Sequence, residues 1–407
     1  MQAIQDPIAA MKQVVNASFY DRAPHYDEQA VFPKENFVDL ANAGLMAATI
    51  SSQYGGLGLG HQHGNIYTLW KMVWEIAKAD AATARCWEGH NNALVLLNNL
   101  ATDSQKATWF KEIVEKGKIW GVWSGEPLVK KPGQKSPIGT HISKVPGGYR
   151  INGSKVFATS ASGANMALLL VNEKGPGGAR YAGDSPDTLI MLACDLSDPS
   201  VSYDDSWWNP IGMKASVSYK INFDDTFIPD EHLVGQPGEY LKGEWQTRFA
   251  PQYAANFAGV AEAAYEYSLN YINTQHRNDD PYVQQRLGKM YINNRTSDMW
   301  LRTVSDCWGT GDIESAKING NAARYFIEQL ATESMNHAIH ICGARALIGK
   351  NSLERMHRDL SFYCRHDNDD HVLATVGKSA MGLPSDQSFY NHKPAVAPKE
   401  EKVKVGQ

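Results

Sequence analysis

Residues 149–171, "YRINGSKVFATSASGANMALLLV", show the change of periodicity that decides the fold. Polar and apolar residues alternate through "YRINGSKVFAT", and "MALLLV" is a short continuous apolar run, so both are typical of β-strands. Serine, glycine and asparagine between the two runs favour a turn. This stretch therefore predicts β structure near the middle of the chain.

Further β-rich runs flank this stretch from Trp120 to about Gly235. "WGVWSG", "HISKV", "DTLIMLACDL" and "SVSYKINFDDTFI" are short, and Gly, Pro and Asp separate them. Strands that follow one another without intervening helices favour an antiparallel barrel or sandwich. Residues 119–237 are predicted to form a central antiparallel β domain.

Helical periodicity surrounds the β region on both sides. In residues 1–118, "IYTLWKMVWEIAKAD" and "NALVLLNNL" place apolar residues at i, i+3 and i+4, on one helix face. In residues 238–383, "ANFAGVAEAAYEYSLNYINTQHR" and "NAARYFIEQLATESMNHAIHICGARAL" are each long enough to cross a helical bundle. Residues 384–407 are rich in proline and lysine and are expected to form a flexible tail.

The composition is that of an ordinary soluble protein with room for more than one core. The 407 residues are 43% hydrophobic and carry a net charge of −5 without a basic stripe, which disfavours a nucleic-acid partner. Five scattered cysteines without a CxxC pair indicate free thiols in a reducing cytoplasm. No stretch approaches the roughly 18 apolar residues of a membrane span, so neither export nor membrane insertion is expected.

The domain order and several strings resemble the acyl-CoA dehydrogenase superfamily. The strings are residues 149–171, "FPKENFVDLANAGLMAATISSQYGGLGLG", "PIGMKASVSYKINFDDTFIPDEHLVG" and "LERMHRD", so the resemblance covers roughly residues 30–381. It implies an α+β fold with an N-terminal helical domain, a central antiparallel β domain and a C-terminal four-helix bundle. It also implies a homotetramer.

The same resemblance implies a flavin site. A flavin ring needs a flat slot, polar groups along its edge and cations or helix ends for its phosphate. Each matching residue also has a purely structural explanation, such as a core aromatic or a surface ion pair. The resemblance places Trp123 and Ser124 on the pyrimidine side, Phe157 on a ring face, Thr159 near N5, Ser160 as a nearby donor, Arg277 at the phosphate across a subunit interface, and Gly343 in the family's glycine pair.

Two segments depart from the family pattern. "SGEPLVKKPGQKSP" stands where most dehydrogenases have "TEPxAGSD", and "HAIHICGARA" replaces "QxxGGxG". These changes weaken the implied pyrophosphate contacts of a permanently held FAD. We therefore expect a flavin that binds better when reduced, as FMNH2 or FADH2.

The segment "RDLSFYCRHDNDDH", residues 358–371, carries the candidate catalytic residues. The family's base is often a glutamate eight residues after "RD", where this chain has Asp367, and the alternative glutamate location falls near the apolar Phe249. Flavin-dependent monooxygenases of the same fold instead carry His-Asp-Pro here, which His366 and Asp367 resemble. That branch also tends to have a histidine facing the flavin from the first domain, and His90 in "CWEGHNNALVLL" is in a similar place.

The predicted roles follow from oxygen chemistry. Reduced flavin and O2 form a C4a-(hydro)peroxide that survives only where water is excluded and a group controls its protonation. Histidine can act as donor or base near neutral pH. His366 is expected to manage the peroxide or the substrate proton, Asp367 to orient it, and His90 to contact substrate or peroxide. The alternatives are a surface histidine at His366 and a hydrogen-bonded helix histidine at His90.

The sequence thus favours a two-component flavin-dependent monooxygenase acting on a small apolar or aromatic substrate with O2. No nicotinamide-binding GxGxxG motif follows a strand, so a separate flavin reductase is expected. One alternative is an acyl-CoA dehydrogenase or nitroalkane-oxidase-like enzyme with Asp367 as the base, and another is a catalytically idle subunit. No metal is predicted, since His61 and His63 in "GHQHGN" have no third ligand nearby in sequence and are interpreted as loop residues.

Overall fold

The computed structural model describes residues 4–61, 64–127, 139–175, 178–179, 189–349 and 351–383. Helices come first, strands occupy the middle of the chain, and helices return after Val234. The predicted α+β fold class is confirmed. The tail predicted for residues 384–407 lies outside the described residues. The N-terminal helices are α1 (Pro7–Gln29), α2 (Lys34–Asn42), α3 (Ile66–Ala79), α4 (Ala81–Leu100) and α5 (Asp103–Lys116).

The central strands form one twisted layer between the two helical regions. Their order is β7-β8-β3-β2-β4-β6-β9, and β1 and β5 pair with β4 beside this path. The strands are β1 (Trp120–Trp123), β2 (His141–Val145), β3 (Gly148–Ala158), β4 (Met166–Gly175), β5 (Gly178–Ala179), β6 (Leu189–Asp195), β7 (Val201–Asp204), β8 (Tyr219–Pro229) and β9 (Leu233–Val234).

The sheet is mixed, whereas the sequence predicted an antiparallel domain. β1 runs parallel to β4, with Trp120 opposite Met166, and β2 also pairs with β4 in parallel. The remaining pairs are antiparallel. Alternation of polar and apolar residues reports which face a side chain occupies, not the direction of the neighbouring strand.

Among the described residues of the C-terminal region, three helices are long and two further helices, α10 and α11, are short. α7, α8 and α9 have 30 residues each, whereas α10 and α11 have only 12 residues each. The Asn368 side chain accepts hydrogen bonds from the N–H groups of Asp370 and His371, so it caps α11 and separates it from α10. The C-terminal helices are α6 (Glu239–Lys242), α7 (Trp245–Thr274), α8 (Pro281–Thr310), α9 (Ile313–Cys342), α10 (Ser352–Tyr363) and α11 (Asp369–Ala380).

The described residues form two large hydrophobic cores and a small third cluster of Leu170, Leu189 and Leu241. One large core is continuous through both helical regions and includes Trp70, Trp87 and Phe257. The other large core fills the sheet and includes Trp123 and Ile151. Within the described residues, no helix has an apolar stretch that would span a membrane. The boundary between the two cores is where the active-site cavity lies.

A buried ion pair joins the segment after β1 to the sheet. The Lys155 ammonium on β3 is fully buried, and it bonds the carboxylate of Glu126 and, at 2.6 Å, the carbonyl of Leu170. Burial lowers the pKa of Lys155 even though Glu126 opposes the change. The Glu126 carboxylate also accepts a hydrogen bond from the Thr140 N–H. Glu126 therefore holds the backbone around Ser124 against β2 and β3.

We expect Glu126→Ala to destabilise the protein by about 3 kcal/mol, because it leaves the buried Lys155 ammonium without its counter-ion. Urea unfolding followed by circular dichroism measures this loss. The matched control is Asp230→Ala, which breaks the exposed Lys144–Asp230 pair and should leave the unfolding midpoint nearly unchanged. Equal losses in both variants would show that burial of the pair contributes nothing.

Candidate active site

A cavity of about 400 Å³ lies between the central sheet and helices α4 and α10. Strand ends and the segment before β8 form one wall, which carries hydroxyl and aromatic groups. The helices form the other wall, which carries charged groups. Cavities of this size at a domain junction commonly bind small molecules or cofactors.

The sheet wall presents a row of hydroxyls. Ser124, Thr159, Ser216 and Ser218 all line the cavity. The Ser218 hydroxyl donates to Thr159 Oγ1 at 3.1 Å, and the Ser216 and Ser218 hydroxyls lie 2.9 Å apart. Hydroxyls both donate and accept, so this wall can match the nitrogen and oxygen atoms along the edge of a flat heteroaromatic ring.

Two backbone features shape the slot beside these hydroxyls. An added Cβ at Gly125 would come within 2.5 Å of the Val156 carbonyl oxygen, so only glycine allows this close approach to β3. Phe157 adopts a left-handed backbone conformation, φ 53°, and its side chain is 57% exposed. The left-handed region is unfavourable for a bulky residue and often marks a functional position. The donor set, the flat slot and the exposed ring fit a flavin.

The helical wall contains a buried cluster of Arg85, Glu88 and Tyr363. Arg85 Nη1 lies 2.5 Å from the Glu88 carboxylate, and the Tyr363 hydroxyl donates to the other oxygen of that carboxylate at 2.9 Å. Burial raises the pKa of Glu88, although the Arg85 charge opposes this. Arg85 and Tyr363 line the cavity, whereas Glu88 lies behind them.

His366 lies in the turn after α10 and lines the cavity. Its Nδ1 is 3.2 Å from Asp367 Oδ1, its Nε2 is 3.4 Å from Arg85 Nη2, and its ring centroid is 4.5 Å from that of Tyr253. A guanidinium can only donate, and a carboxylate without a proton can only accept. These partners fit an imidazole with its N–H at Nδ1 and a lone pair at Nε2.

Asp367 faces away from the cavity. Its side chain is only 5% exposed, lies 3.5 Å from the Arg324 guanidinium, and does not line the cavity. Burial by itself would raise the pKa of Asp367, but the hydrogen bond with His366 and the nearby Arg324 charge lower it overall. Asp367 is therefore an ionised group that can orient His366.

His90 is placed differently from the prediction that it contacts substrate or peroxide. It is fully buried in α4, its Nε2 donates to the Met46 carbonyl at 2.9 Å, and its Nδ1 accepts from the Trp120 N–H at 3.0 Å. Both ring nitrogens are thus engaged by backbone, and His90 does not line the cavity. The helix-histidine alternative matches this position, and we assign His90 no catalytic role.

The other predicted cofactor residues divide into two groups. Trp123 and Ser160 are buried behind the sheet wall: the Trp123 indole donates to the Thr159 carbonyl at 3.0 Å, and the Ser160 N–H donates to the Ser216 carbonyl at 2.9 Å. They support the wall and, contrary to the prediction for Trp123, do not line the cavity.

Arg277 and Gly343 lie elsewhere in the chain. Arg277 is on the exposed turn between α7 and α8, where it pairs with Asp280 at 2.7 Å. Gly343 ends α9 with φ 71°. Neither lines the cavity of this subunit.

His61 in "GHQHGN" does not line the cavity. The His61 Nε2 donates to the Arg248 carbonyl at 3.2 Å, and its ring packs edge-on against Trp308. His63 lies outside the described residues, as do residues 128–138, which include most of "SGEPLVKKPGQKSP". In the part of the chain that is described, no three His, Cys, Asp or Glu side chains converge as a metal site would require.

Sequence reasoning missed several cavity residues. Arg85 and Tyr363 were not identified, and neither were Trp208 and Phe362, whose rings meet edge-on at a centroid distance of 5.6 Å. The usable signals were Arg85 and Glu88, the charged residues of the helix "AATARCWEGHNNALVLLNNL", and the adjacent tryptophans Trp207 and Trp208.

The comparisons with known proteins agree with this architecture. Residues 4–117 match the N-terminal domain of the acyl-CoA dehydrogenase family, and residues 247–364 match its C-terminal domain. Dibenzothiophene monooxygenase of Mycolicibacterium goodii is 22% identical over 407 residues, covering 92% of this chain and 94% of that protein. Mitochondrial isovaleryl-CoA dehydrogenase of Solanum tuberosum is 24% identical over 363 residues, covering 84% of this chain and 82% of that protein.

A solved structure gives the same fold. TdsC of Paenibacillus sp. A11-2, in complex with FMN and indole, superposes with a TM-score of 0.82 at 20% identity, covering 94% of this chain and 99% of TdsC. The fold and the family matches define a flavin oxidoreductase with helical, sheet and helical regions. The chain belongs to the acyl-CoA dehydrogenase superfamily, as the sequence resemblance predicted.

We expect His90 to make stability depend on pH. Burial lowers the pKa of His90 to about 4 from an ordinary 6.5, with the Met46 hydrogen bond opposing. Between these values only the unfolded chain takes up the proton, so stability is full above pH 6.5 and falls as the pH drops toward 4. His90 accounts for a loss of about 3 kcal/mol over this window. His90→Gln should lower stability at pH 7 but flatten this slope in urea titrations.

His61 provides the internal comparison for that measurement. Burial also lowers the pKa of His61 to about 4. His61→Gln should therefore remove a similar part of the slope, and the double variant should be flatter than either single variant. A slope in His90→Gln equal to that of the parent would contradict the assignment of His90 as a buried neutral histidine.

Proposed function

We propose that the protein is the oxygenase component of a two-component flavin-dependent monooxygenase, which uses reduced flavin and O2 to oxygenate a small apolar or aromatic molecule. The observation that carries this proposal is the orientation of the His366–Asp367 pair. The imidazole lines the cavity, while the carboxylate is turned toward Arg324.

The same orientation weighs against a dehydrogenase or nitroalkane oxidase with Asp367 as the base. Such a base must reach the carbon-bound proton of the substrate. Among the described residues that line the cavity there is no Asp or Glu. Glu88 lies behind Arg85 and Tyr363, and both of its oxygens are engaged.

Several relatives support the oxygenase proposal. Dibenzothiophene monooxygenases recur among the similar sequences, and a methanesulfinate monooxygenase, MsuC of Pseudomonas fluorescens, shares the fold with a TM-score of 0.80. TdsC binds indole, an aromatic molecule. The aromatic lining here, formed by Phe157, Trp208 and Phe362, suits an apolar or aromatic substrate in the same way.

In this proposal the sheet wall would bind the flavin, and the helical wall would carry the group that transfers protons. Reduced flavin, when bound, activates O2. Ser124, Thr159 and Ser218 would hold its polar edge, with Phe157 against the ring. The apolar rings of the lining would exclude water, which strengthens every electrostatic interaction inside. His366 would accept or return a proton at Nε2 while Asp367 holds the tautomer at Nδ1.

The remaining assignments are part of the same proposal. A separate reductase would deliver the flavin, as FMNH2 or FADH2, and the reaction would take place in the cytoplasm, in keeping with the five free cysteines. Assembly as a homotetramer would allow Arg277, exposed on its turn, to approach the flavin phosphate of a neighbouring subunit.

We expect His366→Ala to uncouple the reaction. Reduced flavin reacts with O2 without a protein nucleophile, whereas directing oxygen to substrate needs a positioned proton donor or acceptor, an effect of about 10² to 10⁴ in rate. Photochemically reduced FMN, O2 and either indole or dibenzothiophene would be mixed with the enzyme. Oxygenated product should fall at least a hundredfold, while flavin oxidation continues and H2O2 accumulates.

Asp367→Asn and Asp370→Asn are the comparison for that experiment. Asp367→Asn should lower coupling less than His366→Ala, because the amide still contacts Nδ1. Asp370 is an exposed carboxylate three residues further on, so Asp370→Asn should behave like the parent. Full coupling in His366→Ala would remove the main support for a monooxygenase, and bleaching of a flavin-loaded enzyme by an acyl-CoA would support the dehydrogenase alternative.

We also expect flavin affinity to depend on redox state, with the reduced form binding more tightly. The preference for the reduced form rests on the proposed function, in which the oxygenase takes up reduced flavin from a reductase. The altered family segments weaken contacts to the FAD pyrophosphate, so FAD should not be held permanently. Anaerobic calorimetric titration with oxidised and reduced FMN and FAD measures this difference. Thr159→Val, which keeps the side-chain shape but removes the hydroxyl, should weaken binding of both. Stoichiometric FAD in the protein as purified would contradict this expectation.

A further inference from the structure

A second cavity, of about 290 Å³, lies at the opposite end of α4 from Arg85. Its walls are the loop before α3, the last turns of α4 and the first turns of α5 and α7. Val95 lines this cavity and Arg85 lines the active-site cavity. Ten residues of helix separate them, so the two cavities are roughly 15 Å apart along α4.

Two cations line this second cavity without a compensating carboxylate. They are Lys106 on α5 and Arg248 on α7, and no Asp or Glu is among the lining residues. Within the described ranges neither cation has a carboxylate within ion-pair distance. The arginines of the active-site cavity differ, because Arg85 pairs with Glu88 and Arg365 pairs with Glu328.

Arg248 is held rigidly. Its Nε donates to the Gly243 carbonyl at 2.9 Å, its guanidinium lies 4.9 Å from the Trp245 ring and 5.2 Å from the Trp308 ring, and its own carbonyl accepts from His61. Burial lowers the pKa of Arg248, although the charges of Glu244 and Glu314 oppose this change. An anion bound at its terminal nitrogens would offset the cost of burial.

Neutral donors surround the two cations. Ser51, Gln53 and Tyr54 line the cavity, and their side chains make no hydrogen bond to any other described residue. The buried indole N–H of Trp245 is likewise without a partner in the described part of the chain. A cavity wall with this many available donors and no carboxylate is complementary to an oxyanion.

The loop that carries Ser51 and Tyr54 is already in place. The Leu57 and Leu59 N–H groups donate to the carbonyls of Ala47 and Ala48, each at 3.0 Å, and the Asn65 side chain accepts from the Gly60 N–H at 2.8 Å. The donors are therefore preorganised, which limits the entropy lost on binding.

We propose that this cavity binds a small phosphate-type oxyanion between Lys106 and Arg248. An arginine fork and a lysine point charge together suit a tetrahedral, doubly charged group better than a planar carboxylate. The polar groups of the lining come from three separate segments, namely the loop before α3 and helices α5 and α7. This site is separate from the active-site cavity and does not rest on the proposed oxygenase function.

Calorimetric titration of the full chain with inorganic phosphate and with glycerol phosphate tests the proposal, against chloride at equal ionic strength. Both ligands should bind saturably, one per chain, and raise the melting temperature. Tighter binding of the ester would indicate an organic phosphate as the natural ligand, and equal binding would indicate free phosphate. Either outcome supports the site.

Lys106→Gln and Arg248→Gln should each weaken binding at least tenfold. Lys111→Gln is the matched control, since it removes the same charge from an exposed position on α5 and should not change affinity. If Arg248→Gln does not fold, Arg248→Lys and Lys106→Gln decide the matter. Absence of saturable binding by the parent, or unchanged affinity in Lys106→Gln, would overturn the proposal.

Discussion

The position of His366 in the cavity wall depends on one buried cation, Arg324 of α9. Its side chain is completely buried, and a guanidinium so far from water costs several kcal/mol unless anions surround it. Glu328 on its own helix and Asp367 and Asp369 beyond α10 supply those anions. The α10–α11 turn is therefore fixed by the need to satisfy Arg324. Because the Asp367 carboxylate contacts Arg324, the neighbouring His366 is the group that faces the cavity.

The cavity lies between two separate hydrophobic cores, one formed by the sheet and one formed by the helices. One core is formed by side chains of the sheet, and the helices of both terminal regions form the other core. At the boundary the sheet side contributes short hydroxyl side chains, while α4 contributes Arg85 and the turn after α10 contributes Arg365 and His366. Each charged group is then neutralised by a partner behind the wall, as Glu88 does for Arg85. The result is a polar but balanced site that can still accept an apolar ring.

Much of this site could be predicted from local strings. Ser124, Phe157, Thr159 and His366, which the resemblance singled out, line one cavity, and each belongs to a short segment that the sequence pattern can identify. His90, by contrast, bonds to backbone through both ring nitrogens and does not line the cavity. A histidine in an apolar helix has the same sequence signature whether it faces a cavity or bonds to backbone, and the carbonyl and N–H that hold it belong to distant segments.

The sequence by itself determined the element types, the order of helices and strands, and the superfamily, because periodicity and turn chemistry are local properties of the chain. Strand direction, the lengths of the C-terminal helices and the partners of each charged group were decided only by the tertiary structure. Arg85 and His366 are 281 residues apart in sequence yet lie 3.4 Å apart in the fold. Such a contact depends on how α4, α7 and α10 pack together, which no pattern within one segment can specify.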